Sequence, residues 1–389
     1  MPTLSPPLDP VKLWLAMLLR GAEPGAIPDA SALLKVARAE GVLALCQYHL
    51  RRSPAWAQAS AGLQAELTRC AHQEVAVELA RTVELRAVLA TLAQAGLPVL
   101  LLKGAALAHT LYPQPHLRSR SDTDLLLPSH ADAERAGQVF QTLGYRCPAT
   151  VVGDWANSEL GCYKTSRGLT HALDVHWRWS NRTLFSTRVA FAELAAVAVP
   201  IPALGPEARG LGPVHALLLA GVHRASHRLT DPHSERLIWL YDIHRLAERL
   251  TAAEWQQLTA LATTRALCGP CLAGLTTAQG WFGTRLPEES LNRLRAGAAG
   301  EAFDPGQPPQ PWRLEWLEFR GLPSTATRLR WIGQRLFPDR AYLREQYGFH
   351  SALWLPWFYA VRIGRGILLR CTGQRPGAPA RHQAERRTR

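Results

Sequence analysis

The stretch from Arg118 to Pro128, RSRSDTDLLLP, sets two acids, Asp122 and Asp124, directly in front of Leu125, Leu126 and Leu127. A turn accepts acids readily, but a turn seldom runs straight into an apolar run. On a strand, residues i and i+2 share a face. Asp122 and Asp124 then project one way, with Thr123 and Leu125 on the other side. Two carboxylates on one face repel, and burying them raises a pKa or demands a cation. Oxygen donors in this arrangement suit Mg²⁺, which takes one or two carboxylates together with substrate phosphates.

A third acid, Asp174 in HALDVHWRW, lies in a second strand-like run. A neighbouring strand would bring it beside the pair, with His176 on Asp174's own face. Three carboxylates on adjacent strands can hold two divalent ions for in-line phosphoryl or nucleotidyl transfer. A plainer reading stands beside this one. In it Asp122 caps a turn, Asp124 faces solvent, and Asp174 pairs with an arginine such as Arg178.

Outward from these residues, the texture alternates. Pro98 and Gly104 bound the apolar run LPVLLLKG, a short buried strand, and AALAHTLY follows at helical spacing. After Pro128, SHADAERAGQVFQTLGY predicts a helix with Ser129 as its N-cap. YRCPATVV, SELGCYKTS and THALDVHWRW predict further strands. The expected fold class is α+β, with a small mixed-sheet domain over residues 93–200. Residues 1–92 predict a helical region with no cluster of chemical groups, and residues 201–300 a second helical region. Residues 301–389 begin with the Pro/Gly linker FDPGQPPQPW and continue as a basic, Trp-rich segment.

Composition bounds the function classes. Hydrophobic residues at 47% and charged residues at 19% are globular values and exclude a disordered chain. No run approaches the roughly 18–20 apolar residues of a spanning helix. LWLAMLL near the N-terminus lacks the flanks of a signal peptide, so the expected location is cytoplasmic. The net charge of +13 suggests a polyanion partner until it is located. Residues 311–389 carry 15 Arg and 5 acids, so most of the excess is C-terminal, ending RHQAERRTR. That tail can contact a nucleic acid or an anionic membrane surface. SALWLPWFYAVRIGRGILLR either lies on a membrane or packs as a terminal helix interrupted at Pro356, and packing is the expectation.

Only four lysines occur, at 12, 35, 103 and 164, so a Lys in a glycine turn stands out. Seven cysteines are scattered. Cys268-Gly-Pro-Cys271 has the spacing of a redox pair but sits in a helical pattern, which predicts core cysteines. His223 and His227 share a helix face, yet no Cys or Glu completes a zinc set. They predict a cleft lining, with Arg236 and Asp242 in support.

LLKGAALAHTLYPQPHLRSRSDTDLLLP resembles the nucleotidyltransferase superfamily of DNA polymerase beta. Within it, the chain is most similar to bacterial proteins known only as nucleotidyltransferase family proteins. Their pattern falls here on Lys103, Gly104, Tyr112, Arg118, Asp122, Asp124 and Asp174, with His223 and Asp242 matching further on. LFPDRAYLREQYG resembles their C-terminal segment. The resemblance implies a Mg²⁺-dependent transfer of a nucleoside monophosphate from an NTP to an unidentified acceptor. Asp122, Asp124 and Asp174 would ligate metal and carry catalysis. Lys103, Gly104 and Ala105 would meet the nucleotide's phosphates, with Arg118 or Arg120 neutralising charge. The wider superfamily places Gly-Ser or Gly-Gly where this chain has Gly104-Ala105, so a phosphate-binding hydroxyl is absent. A binding protein that kept the fold without the chemistry is the alternative.

Overall fold

A computed structural model describes residues 9–148, 153–155, 157–231, 233–301, 310–348 and 352–371. They fall into two compact units, Met1–Pro148 with Ser158–Gly321, and Ala149–Asn157 with Leu322–Arg389.

In the first unit, the N-terminal region is helical as its periodicity predicts. The helices Pro10–Leu19, Ala30–Ala39, Leu43–Leu50 and the long Ala61–Gln94 follow one another. Asp9, Asp29 and Ser60 cap three of them by accepting backbone N–H bonds, which satisfies donors the first turn leaves open. Gly96, with φ +67°, ends the long helix and turns the chain into the sheet.

The sheet has six strands: β1 Leu100–Leu101, β2 Thr123–Leu126, β3 Glu159–Ser166, β4 Leu169–His176, β5 Val199–Pro200 and β6 Arg209–Gly210. Their order is β3-β4-β2-β1-β6-β5. β2 runs parallel to β4 and antiparallel to β1, so the sheet is mixed and the fold is α+β, as expected. β1 is shorter than its apolar run predicts, because a helix starts at Lys103. Helix His130–Thr142 follows β2, with Ser129 accepting from the Asp132 N–H. Arg146 makes a single bridge to Tyr163, and residues 149–152 of the strand predicted there lie outside the described residues.

Both faces of the sheet are covered. Leu125, Leu127, Leu173 and Val175 pack with Leu85, Leu89 and Leu92 of the long helix and with Phe140. Each such side chain contributes roughly 1.5–3 kcal/mol by leaving water. Leu100 and Leu126 point the opposite way, into a core shared with the helices Pro213–Thr230, Leu237–Ala247, Ala252–Thr264 and Cys268–Phe282. Period-two alternation therefore puts Asp124 on the face covered by the helical layer. Cys268 and Cys271 are buried, unbonded thiols at the start of their helix, where the Glu301 carboxylate accepts from the Cys268 and Gly269 N–H groups at 2.6 and 2.9 Å. They are core cysteines, as their context predicts.

Cys147 and Cys162 form a disulfide that staples the chain after helix His130–Thr142 to β3. Disulfides persist in oxidising surroundings, and a reducing cytoplasm would leave these two as packed thiols.

The second unit contains the helices Thr325–Leu336, Arg340–Tyr347 and Leu355–Cys371. Pro356 sits in the first turn of the last helix, where it starts the helix instead of interrupting it. Leu353, Trp354 and Trp357 are exposed. Among the described residues, no helix is long and apolar enough to cross a membrane. Most of the Pro/Gly linker and all of the basic end from residue 372 lie outside the described residues.

Candidate active site

The parallel register sets Asp124 directly beside Asp174 and Leu126 beside His176. Asp122 stands just before β2, two residues from Asp124. The three acids therefore gather at one place on the sheet. Asp124 is 6% exposed, so it is not the solvent-facing acid of the plainer reading. β3 adds a fourth carboxylate, because Glu159 lies opposite His176.

These charges are not equally compensated. Asp124 Oδ1 accepts from Lys103 Nζ at 2.7 Å and from His176 Nε2 at 2.9 Å. Burial works against its charge, but the Lys103 ammonium and the His176 hydrogen bond override that and hold its carboxyl far below the usual range. His176 also faces Asn181 Oδ1 through Nδ1 at 3.0 Å. Burial opposes a charge on this ring, but the Asp124 hydrogen bond and carboxylate outweigh it and raise its pKa above the ordinary imidazole value. Asp174 fares differently. Burial, then the charges of Glu159, Asp124 and Asp122, push its carboxyl up to about 7. Burial and Asp124 likewise push Asp122 up.

Lys103 shows why this site is costly to form. Its φ is +47°, a left-handed conformation that charges an L-residue about 1–2 kcal/mol. Helix Lys103–Thr110 starts there, with Gly104 against the Arg118 guanidinium and the Ala105 methyl in the core. A Cβ at Gly104 would lie 3.3 Å from Arg118 Nη1. Gly104 thus lets the arginine approach.

Two predicted phosphate-neutralising arginines are engaged elsewhere. Arg118 Nε and Nη2 grip the Asp242 carboxylate at 2.9 and 2.6 Å, and the Tyr112 hydroxyl donates to the same group at 2.6 Å. All three are buried. Arg120, also buried, donates to Thr123 Oγ1 and to Glu78 Oε1. Arg236 donates to the Ala39 carbonyl and lies against Trp239. These interactions hold the walls together.

On the Asp124 side a cleft of about 300 Å³ opens between the sheet and helix Pro213–Thr230. Lys103, His176, Asn181, Arg182, His223 and His227 line it. A smaller, mostly apolar pocket adjoins it, with Lys103, Arg118, His223, Trp239 and Asp242 at its polar end. The rings of His223, His227 and Trp239 pack on one another at 4.5–5.1 Å. The two imidazoles meet edge to face, which is packing geometry and not the convergence of two metal ligands. Burial drives His223 well below its ordinary value, so it faces the cleft neutral.

A family model described as an uncharacterised nucleotidyltransferase matches residues 28–283. The chain belongs to that family. No curated protein matches it. In this nucleotidyltransferase family member the matched residues contain the whole sheet, the four acids and the helical wall of the cleft. The sequence patterns placed Asp122, Asp124, Asp174, Lys103 and His176, which the fold brings together. Glu159 and Asn181 were missed. An acid opening the strand SELGCYKTS carries no signal by itself, and Asn181 follows β4 in a loop.

Proposed function

We propose that the protein is a Mg²⁺-dependent nucleotidyltransferase that moves a nucleoside monophosphate from an NTP to an acceptor. The observation that carries this reading is the pairing of Asp124 and Asp174 on adjacent strands, with Asp122 just before the first of them and buried negative charge in excess. Such a site holds either protons or a cation, and its oxygen-only donors fit a hard cation such as Mg²⁺. Among the described residues no group of three or more His, Cys, Asp or Glu side chains is arranged to hold a metal ion, so the acids would have to shift to bind one. Lys103 and His176 engage the Asp124 carboxylate at the same point.

Asp122, Asp124 and Asp174 would hold the metal. When bound, Mg²⁺ supplies positive charge to the transferred phosphoryl group and lowers the pKa of an attacking hydroxyl. The chain's own groups do the remaining work. Lys103 meets the phosphates as a point charge, and Asp174 takes the proton of the acceptor hydroxyl. His176, fixed by Asn181, orients Asp124. The cleft lined by Asn181, Arg182 and His223 receives the acceptor.

Titration calorimetry of ATP, GTP, CTP and UTP with Mg²⁺ tests the reading. One nucleotide should bind in a metal-dependent way, and the Asp122→Asn/Asp124→Asn double variant should lose that binding. Absence of nucleotide binding by the wild type favours the second reading, a binding protein without the chemistry. Two features lean that way, the missing hydroxyl at Ala105 and the ammonium already seated on Asp124. The basic C-terminal residues are a proposed contact for a polyanion or an anionic membrane surface, independent of the catalytic reading.

A further inference from the structure

Asp124 Oδ1 accepts from Lys103 Nζ at 2.7 Å and from His176 Nε2 at 2.9 Å. Those two donors use both lone pairs of Oδ1, so a divalent ion bound to that oxygen, at about 2.0–2.1 Å, would have to displace one of them, and charge repulsion favours the ammonium leaving. Lys103 also borders both the wide cleft and the small pocket beside it, so its flexible stem reaches the space where phosphates would lie. Its backbone keeps a left-handed φ of +47°, a place glycine would take without strain. The side chain therefore has a role that the backbone conformation alone does not explain.

We infer that Lys103 is an exchangeable counter-ion of Asp124: it holds the cation position in the empty site and passes to the nucleotide's phosphates when a metal–nucleotide complex arrives. This rests on the nucleotidyltransferase reading and adds a rule of binding to it. Metal alone competes with a tethered ammonium. Nucleotide offers that ammonium an alternative anion and frees Asp124. Metal and nucleotide then bind with positive coupling, and by linkage each raises the affinity for the other by the same factor.

The test is Mn²⁺ binding followed by electron paramagnetic resonance, on the full chain, with and without a non-hydrolysable NTP analogue. Wild type should bind Mn²⁺ weakly alone and about tenfold or more tightly with the analogue. Lys103→Met should bind Mn²⁺ alone about tenfold more tightly than wild type, with the coupling to nucleotide largely lost. Lys103→Gly, which suits the left-handed backbone, should behave the same and guards against misfolding of the Met variant. Lys103→Arg, which keeps the charge, should not gain Mn²⁺ affinity. If wild type shows the coupling but Lys103→Met and Lys103→Gly bind Mn²⁺ no tighter than it does, the exchange is overturned and the catalytic reading stands. If neither Mn²⁺ nor analogue binds wild type or any variant, both fall.

Discussion

Asp174 carries an electrostatic burden on folding, and the proposed metal would relieve it. Its carboxyl, raised to about 7 by burial and by Glu159, Asp124 and Asp122, opposes folding increasingly as pH climbs from its unfolded value near 4. Asp174→Asn removes that repulsion and should raise the melting temperature in EDTA at pH 8 by about 2–4 °C. The same change should weaken the metal-dependent part of nucleotide affinity by roughly 10–100-fold, the loss seen even for outer-shell metal partners. Calorimetry and thermal melts on one protein sample read both. His49 gives a second handle on pH. Burial, with Arg245 and Arg52 nearby, lowers it to about 4, against an unfolded value near 6.5. Between those values the unfolded chain binds the extra proton, so stability falls as pH drops from 6.5 toward 4. Melts at pH 7 and pH 5 should show a smaller acid loss in His49→Gln than in wild type.

At the level of elements, the junction of Tyr112, Arg118 and Asp242 ties the segment before β2 to helix Leu237–Ala247. Removing one partner of a buried ion pair leaves the other unpaired, at about 3–5 kcal/mol. Asp242→Ala should therefore lower unfolding free energy by that amount in urea titrations, while Tyr112→Phe should lose only about 1 kcal/mol. An Asp242→Ala stability within 1 kcal/mol of wild type would show that the pair carries no such weight. This junction was only half legible in the sequence. Asp122, Asp124 and Asp174 stood out because acids inside apolar, period-two runs conflict with burial, and such a conflict is local. The partners of Arg118 and Asp242 lie 124 residues apart, and nothing near either residue marks the pairing. Glu159 hid for a related reason, since an acid at a strand's opening is unremarkable until the register sets it opposite His176. The link between Cys147 and Cys162 is likewise set by the return of β3 and not by cysteine spacing. Ser129 at its helix start was readable because capping depends on three or four neighbouring residues alone.

On the scale of the whole molecule, charge is segregated. Residues 366–389 hold six Arg and one Glu, and each basic residue near an anionic surface contributes about 1 kcal/mol. Deleting them should reduce sedimentation with phosphatidylserine vesicles more than tenfold while leaving metal-dependent nucleotide binding intact. Retention of the truncated chain on such vesicles would assign any surface contact elsewhere, with the exposed Leu353, Trp354 and Trp357 the first to replace.

The clasp of Arg118 on Asp242 has a consequence for how far the helical wall can move from the sheet. Swinging that wall away from the sheet would part a buried charge pair, at about 3–5 kcal/mol. The pocket that both residues line would widen only at that cost.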